Sequence, residues 1–248
     1  MIQSYLENTR LQKLLEELKA PNIEVLIEEI GHFTEKEAEK RDQIVLGYFG
    51  EGGVNRIVDS IVGCLLSPPR LRKGAEVLDV GAGSGLFTLR VVDKLRPHLP
   101  RASFYAMDVT PGMLQALSSK TSEIVPFLGV GENIAGSVEH ARKYFRVPKK
   151  FDAVFSTLML HHCPEVEKVF GSVRDALKAG GKAVFIDLCK HPFKEFMEMG
   201  DVHLGFQPDW IETMAKKHFS EVHVERMPGI CCECSGRSAE LFLALVMP

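Results

Sequence analysis

Val77-Leu78-Asp79-Val80-Gly81-Ala82-Gly83-Ser84-Gly85 (VLDVGAGSG) is the stretch that decides the fold. A short apolar run of β-favouring residues ends in glycines at alternate positions, and an amphipathic segment follows to Leu95. That is a strand, a tight turn and a helix. Glycine suits the turn because it tolerates positive φ and leaves no Cβ between the backbone and a ligand. The first N–H groups of the next helix have no partners within it and favour a negatively charged group. A nucleotide-like ligand is therefore expected here. A dinucleotide fingerprint is spaced G-x-G-x-x-G. In this chain the third glycine follows after one intervening residue, and an acidic residue, Asp79, precedes the first.

Downstream of Gly74, strand-like and helical stretches alternate. Strands are expected at Glu76–Val80, Ser103–Met107, Ile124–Leu128, Phe151–Ser156 and Lys182–Asp187. Helices are expected at Gly85–Leu95, Pro111–Ser119, Glu132–Tyr144 and Pro164–Leu177, with others near Phe193–Met199 and Pro208–His218. Such alternation implies a mostly parallel sheet covered on both faces. Two last strands, Glu221–Arg226 and Glu240–Met247, have no helix between them. They are expected to form an antiparallel hairpin joined by the loop MPGICCECSGRSA.

Upstream, the first stretch to about Ser67 reads as helical. Leu11, Leu14, Leu15 and Leu18 follow the spacing of one buried helix face, and Pro21-Asn22 interrupts it. Thr34 and Glu37 have capping-box spacing and begin a helix expected to end near Gly50–Gly53. Val54–Leu66 is a further amphipathic segment, stopped by Ser67-Pro68-Pro69. The chain thus divides into a helical region, residues 1–70, expected to act as a lid, and a ligand-binding domain, residues 71–248.

The composition is that of an ordinary globular protein: 248 residues, 45% hydrophobic and 25% charged. A net charge of −3 argues against a broad nucleic-acid footprint. No apolar run reaches bilayer length, so no membrane partner is expected. Glu7 and Arg10 stand where a signal peptide needs an apolar core, which makes cytoplasmic localisation the expectation. Oligomeric state is not legible.

The pattern Asp79-x-Gly81-x-Gly83-x-Gly85 resembles the first motif of class I S-adenosylmethionine-dependent methyltransferases. Phe104-Tyr-Ala-Met-Asp108 supplies the carboxylate that ends a second strand. FDAVFSTLMLHHC (151–163) and LKAGGKAVFIDL (177–188) look like the fourth and fifth motifs of the small-molecule methyltransferases related to ubiquinone and menaquinone biosynthesis. The resemblance spans roughly Gly74–Leu188. It implies an α/β, Rossmann-like seven-stranded mixed sheet with the last strand antiparallel, and S-adenosyl-L-methionine as cofactor. It also implies that Asp79, Gly81, Ala82, Gly83 and Gly85 lie along the methionine part, Asp108 and Val109 along the ribose, and Ser156 beside them. The family often has Gly-Asp-Ala after the third strand, where the aspartate meets adenine. This chain has Val130 at the aspartate position, which leaves Glu132 or Asn133 for that contact.

Methyl transfer from a sulfonium is an in-line displacement, and the protein mainly positions the partners, excludes water and removes a proton where needed. The expected function is methyl transfer to a small-molecule acceptor. A non-enzymatic cofactor-binding sensor or partner subunit is the alternative. His161 and His162 follow the fourth strand, where a general base is useful near neutral pH, and where a histidine pair can equally shape the loop. Cys163, Cys189, Cys231, Cys232 and Cys234 also belong at this sheet edge. Cys163, Cys189, Cys232 and Cys234 suggest a thiophilic acceptor such as arsenite, a distant likeness to arsenite methyltransferases that lacks their usual cysteine context. Zinc fits the spacing less well, and the cysteines can also be small apolar packing residues.

Overall fold

The computed structural model describes residues 2–32, 35–194, 201–234 and 237–248, and within them the side chains of all but residues 25, 28, 29, 32, 35–37, 39, 231–234 and 237. The strands are β1 (Glu76–Val80), β2 (Ser103–Asp108), β3 (Ile124–Leu128), β4 (Phe151–Thr157), β5 (Leu177–Leu188), β6 (Glu221–Cys234) and β7 (Arg237–Met247). They form one seven-stranded sheet in the order β3-β2-β1-β4-β5-β7-β6. β1 to β5 pair in parallel, while β7 runs antiparallel to both β5 and β6. This is the mixed sheet with an antiparallel last strand that the motif order implies.

Successive side chains of a strand face opposite sides of the sheet, and each side has its own core. On one, Val77, Phe104, Phe155 and Leu243 pack with α4 (Glu35–Leu66) and α5 (Leu86–Leu95). On the other, Leu78, Tyr105, Phe185 and Phe242 pack with α7 (Ile134–Ala141), α8 (Val166–Ala176) and α9 (Pro208–Ala215). α6 (Pro111–Lys120) follows β2. The parallel strands are buried on both faces, and β4 has no exposed residue.

The N-terminal helices α1 (Ile2–Asn8), α2 (Leu11–Leu18) and α3 (Ile23–His32) cover the β3 end of the sheet. The leucine stripe of α2 is buried as its spacing requires, and the Tyr5 hydroxyl accepts a hydrogen bond from Leu128 N at 3.1 Å. Burial pushes the Tyr5 phenol up to about 12. α4 breaks at Gly50 (φ 63°, ψ 166°), within the Gly50–Gly53 region read as a helix end. Its second half, with Val54, Ile57, Ile61 and Leu65 fully buried, belongs to the sheet core. The Thr34–Glu37 cap and the helix near Phe193–Met199 lie outside the described residues or side chains.

The structure corrects the element bounds in three places. Pro228 and Gly229 read as loop residues, yet the hairpin ladder runs on to Cys234↔Arg237. An irregularity between Met227 and Cys231 absorbs the breakers: Gly229 takes φ +68°, and Arg56 bonds its carbonyl. β5 starts at Leu177 rather than Lys182, because a register shift against β4 carries the Ala179-Gly180-Gly181 turn inside the strand. The helix expected from Glu132 begins as a 3₁₀ turn, Gly131–Asn133, and its α part ends at Ala141.

A polar knot ties the far edge of the sheet. Asp152 accepts from Arg72 Nη2 (2.9 Å), Glu76 N (2.9 Å) and Lys178 Nζ (2.7 Å). Burial pushes its carboxyl up, but these donors outweigh burial and hold it below the usual carboxylate range. A depressed folded-state pKa contributes stability above the unfolded value of about 3.9, which is lost as pH falls through the folded value. Asp152→Asn is therefore expected to lower the unfolding free energy at pH 7 by about 1–3 kcal/mol. In urea titrations the gap between variant and wild type should close as pH falls below about 4; a gap independent of pH contradicts this account.

Candidate functional site

The carboxyl ends of β1, β2, β3 and β4 open onto one cleft of about 1130 Å³, its mouth included. Such an edge of an open α/β sheet is where ligands bind. Gly81, Gly83 and Gly85 have φ of 76°, 54° and 89°, a region that L side chains rarely adopt. A Cβ at Gly81 would also run into Met159, and one at Gly85 into Leu117. Gly81 N and Ala82 N both donate to Met107 O, which closes the turn against β2.

Two carboxylates frame this turn. Asp108, half-buried at the end of β2, accepts from Gly83 N through Oδ2 and from Thr110 N through Oδ1, both at 2.8 Å. Burial raises its carboxyl and the two N–H groups pull it back, with a net upward shift. Asp79 lies behind the turn. Its Oδ2 accepts from Thr88 Oγ1 at 2.6 Å, while its buried Oδ1 has no hydrogen-bond partner among the described residues. Burial pushes this carboxyl up to about 7.

Of the residues singled out in the sequence, Gly81, Ala82, Gly83, Asp108, Val109, Glu132, His162 and Cys163 line the cleft. Others turn elsewhere. Asn133 Oδ1 accepts from Gly136 N and its Nδ2 donates to Leu18 O, so it caps α7 and fastens α2. Ser156 Oγ donates to Val80 O inside the sheet. Gly85 packs on α6. Between the two adenine candidates, Glu132 is the one on the cleft wall, its carboxyl raised by burial. Val130 lines the cleft beside it.

The far wall follows β4. Leu158 has φ +56°, a strained conformation for a leucine, and its N bonds Ile186 O at 2.8 Å. The next residues form a 3₁₀ turn, Leu160–His162. Asp187, near the end of β5, organises this turn. Its Oδ2 accepts from Leu160 N (2.7 Å), and its Oδ1 accepts from Leu188 N (2.7 Å) and faces His161 Nδ1 at 2.6 Å. Burial pushes the Asp187 carboxyl up, but the His161 ring and the backbone donors outweigh it and hold it low. The other imidazole nitrogen, Nε2, faces Asp201 Oδ1 at 3.6 Å. The His161 and His162 rings lie with centroids 4.1 Å apart, tilted by 42° to each other.

The thiols do not assemble as one site among the described residues. Cys163 is buried on the cleft wall, its Sγ on Met159 O and Sδ. Cys189 is buried past β5, and burial pushes its thiol up to about 11. The Cys231, Cys232 and Cys234 side chains lie outside the described residues, although their backbone is in β6.

Several site residues escaped the sequence reading. Asp187 had a signal, because Phe-Ile-Asp-Leu ends a strand in a carboxylate just as Asp108 does. Thr157, whose buried Oγ1 has no hydrogen-bond partner among the described residues, lines the cleft. Leu26 and Ile30 of α3 and Arg41 and Val45 of α4 close it from above. Asp201 had no local signal.

Residues 78–183 match the family model described as a methyltransferase domain. A highly reducing polyketide synthase of Gibberella zeae is 28% identical over 195 residues, covering 72% of this chain and 8% of that protein. The malonyl-[acyl-carrier protein] O-methyltransferase of Nitrosospira multiformis is 28% identical over 137 residues, or 49% of this chain and 41% of that one. The chain therefore spans less than half the length of either relative. Among solved structures, phosphoethanolamine N-methyltransferase 2 of Haemonchus contortus, in complex with S-adenosyl-L-methionine, superposes with a TM-score of 0.62 at 16% identity, covering 86% of this chain and 57% of that one.

Asp187 holds the 3₁₀ turn and His161 at once, so Asp187→Asn should lower the unfolding free energy by about 2–3 kcal/mol at neutral pH, the range of charge-assisted hydrogen bonds. Chemical denaturation measures this; a loss under about 0.5 kcal/mol would show the carboxylate to be dispensable for the wall.

Proposed function

We propose that this chain, which carries a methyltransferase domain on a class I methyltransferase fold, is an enzyme that transfers the methyl group of S-adenosyl-L-methionine to a small organic acceptor. The observation that carries this reading is the glycine turn closed by Asp108: a backbone cradle with a carboxylate at its lip, facing one cleft. The residues fit the cofactor. The buried Asp79 Oδ1 and Thr157 Oγ1 lack partners among the described residues, and Gly83 on the cleft wall faces open space where a Cβ would stand. The glycine turn and Asp79 would hold the methionine part, Asp108 with Val109 the ribose, and Glu132 the adenine side.

When bound, the cofactor supplies an electrophilic methyl group that is attacked in line. This chain's residues then have three tasks. The glycine turn and Asp108 fix the donor. Leu26, Ile30 and Val45 cover the cleft with apolar side chains and exclude water. The wall bearing His162, with His161 behind it, faces the acceptor, and any proton the acceptor loses leaves on that side. Residues 1–70 act as the lid in this reading, with the cover itself coming from α3 and the first half of α4. Asp42 latches that cover to the turn, accepting from Ser84 Oγ (2.6 Å) and Lys120 Nζ (2.7 Å). α1 and α2 are the anchor, through Tyr5 and the buried leucines.

The names of the relatives favour an acceptor of small-molecule or polyketide type. Nothing among the described thiols favours arsenite: Cys189 is buried with a raised pKa, and Cys163 is engaged with Met159. A binding-only role is separated by experiment. Isothermal titration with S-adenosylhomocysteine should give one site, and Asp108→Ala should weaken it at least about tenfold, the loss of one charge-assisted hydrogen bond. Unchanged affinity refutes the assignment. Transfer of labelled methyl to thioester, carboxylate or amine acceptors supports the enzyme; tight cofactor binding with no transfer to any of them supports the sensor.

A further inference from the structure

We propose that His161, His162 and Asp201 form a binding site for one divalent transition-metal ion at the acceptor end of the cleft. Each offers one ligand atom, and these atoms all lie within 4.8 Å of one another. The orientation of His161 is what a ligand needs. Its Nδ1 is committed to Asp187 at 2.6 Å, which leaves Nε2 directed at Asp201 Oδ1, 3.6 Å away. That separation is long for a hydrogen bond but close to the roughly 3.0–3.5 Å between neighbouring ligands of an ion held at about 2.0–2.2 Å. A carboxylate behind a metal-bound imidazole fixes its tautomer and raises its basicity, and Asp187 stands in that position.

A second observation points to a cation independently. Asp201 is 9% exposed, and its Oδ2 is buried with no hydrogen-bond partner among the described residues. A buried carboxylate oxygen left in this state is costly, and a bound ion removes the cost. The backbone holds the ligands in place. Val202 N and His203 N both donate to His161 O, at 3.0 and 2.9 Å, and the His203 ring reaches Cys163 O at 3.0 Å. The segment carrying Asp201 is thereby clamped to the turn carrying the histidines.

Two imidazoles and one carboxylate suit Fe²⁺, Mn²⁺, Co²⁺ or Zn²⁺ better than Mg²⁺ or Ca²⁺, and three protein ligands leave coordination positions open. Because His162 lines the cleft, an open position there is within reach of an acceptor. The acceptor class implied is one with an oxygen donor beside the atom to be methylated, such as an enolisable carbonyl, a carboxylate or a phenol. The ion would bind that oxygen and lower its pKa, so the histidines act as ligands rather than as free bases. This role rests on the methyltransferase reading; the metal site itself does not.

The test is a cobalt titration of the full chain after chelator treatment, followed by visible absorption and elemental analysis. One equivalent of Co²⁺ with d–d absorption is expected, displaced by Zn²⁺, and lost in both Asp201→Asn and His162→Ala. His223→Ala, on the exposed outer strand, should keep it. Thermal melts keep the result interpretable: Co²⁺ should raise the midpoint of wild type but not of Asp201→Asn. No stoichiometric binding by folded wild type overturns the proposal, as does binding that survives in either ligand variant. S-adenosylhomocysteine titration of the same samples keeps the two readings apart. A wild type that binds Co²⁺ but not the nucleoside retains the metal site and loses the methyltransferase reading; the reverse result does the opposite.

Discussion

The hydrogen bonds from Gly83 N and Thr110 N to Asp108 are the constraint on which the site depends. The first joins the turn after β1 to the end of β2 and requires a backbone that can approach a carboxylate closely; the second fixes the carboxylate locally. Glycine at positions 81, 83 and 85 makes that approach achievable, since each adopts a positive φ. Parallel pairing of β1 with β2 and β4 then brings the glycine turn, Asp108 and Thr157 to one edge. The cleft is a consequence of sheet register together with this one close approach.

The opposite wall is built by a different device. Asp187 takes up Leu160 N and His161 Nδ1 together, so one carboxylate sets both the turn and the ring. Leu158 bears backbone strain just before it. Strain next to buried polar groups is the usual cost of a site that must present them in a fixed geometry. Asp201 comes from forty residues beyond His161, and the segment that follows it is tied to the turn by Val202 N and His203 N, which both donate to His161 O.

Much of this was legible in the residues. The bounds of β1 and β3, the Gly50 break and the hairpin direction follow from local pattern, since apolar alternation and glycine placement report local backbone preferences. The glycine turn and Asp108 were legible because they are adjacent to strands in sequence. Asn133 and Ser156 bond backbone groups, as a short polar side chain near a strand end does as readily as it serves a ligand. The extended hairpin was read as a loop because Pro228 and Gly229 look like breakers when the opposite strand is not in view. Asp201 and the cover from α3 and α4 were not legible, because their place depends on contacts between residues about forty to eighty apart in the chain. The cysteines suggested a site by their place at the carboxyl edge of the sheet; Cys163 and Cys189 are buried in the apolar core there, and Cys163 Sγ also meets Met159 O and Sδ.

The most direct measurement is a crystal structure of the full chain grown with S-adenosylhomocysteine. The account predicts the homocysteine along Gly81–Gly83, the ribose hydroxyls on Asp108, and the sulfur turned toward the wall bearing His162. A nucleoside bound elsewhere on the chain, or in the cleft with its ribose away from Asp108, would contradict it.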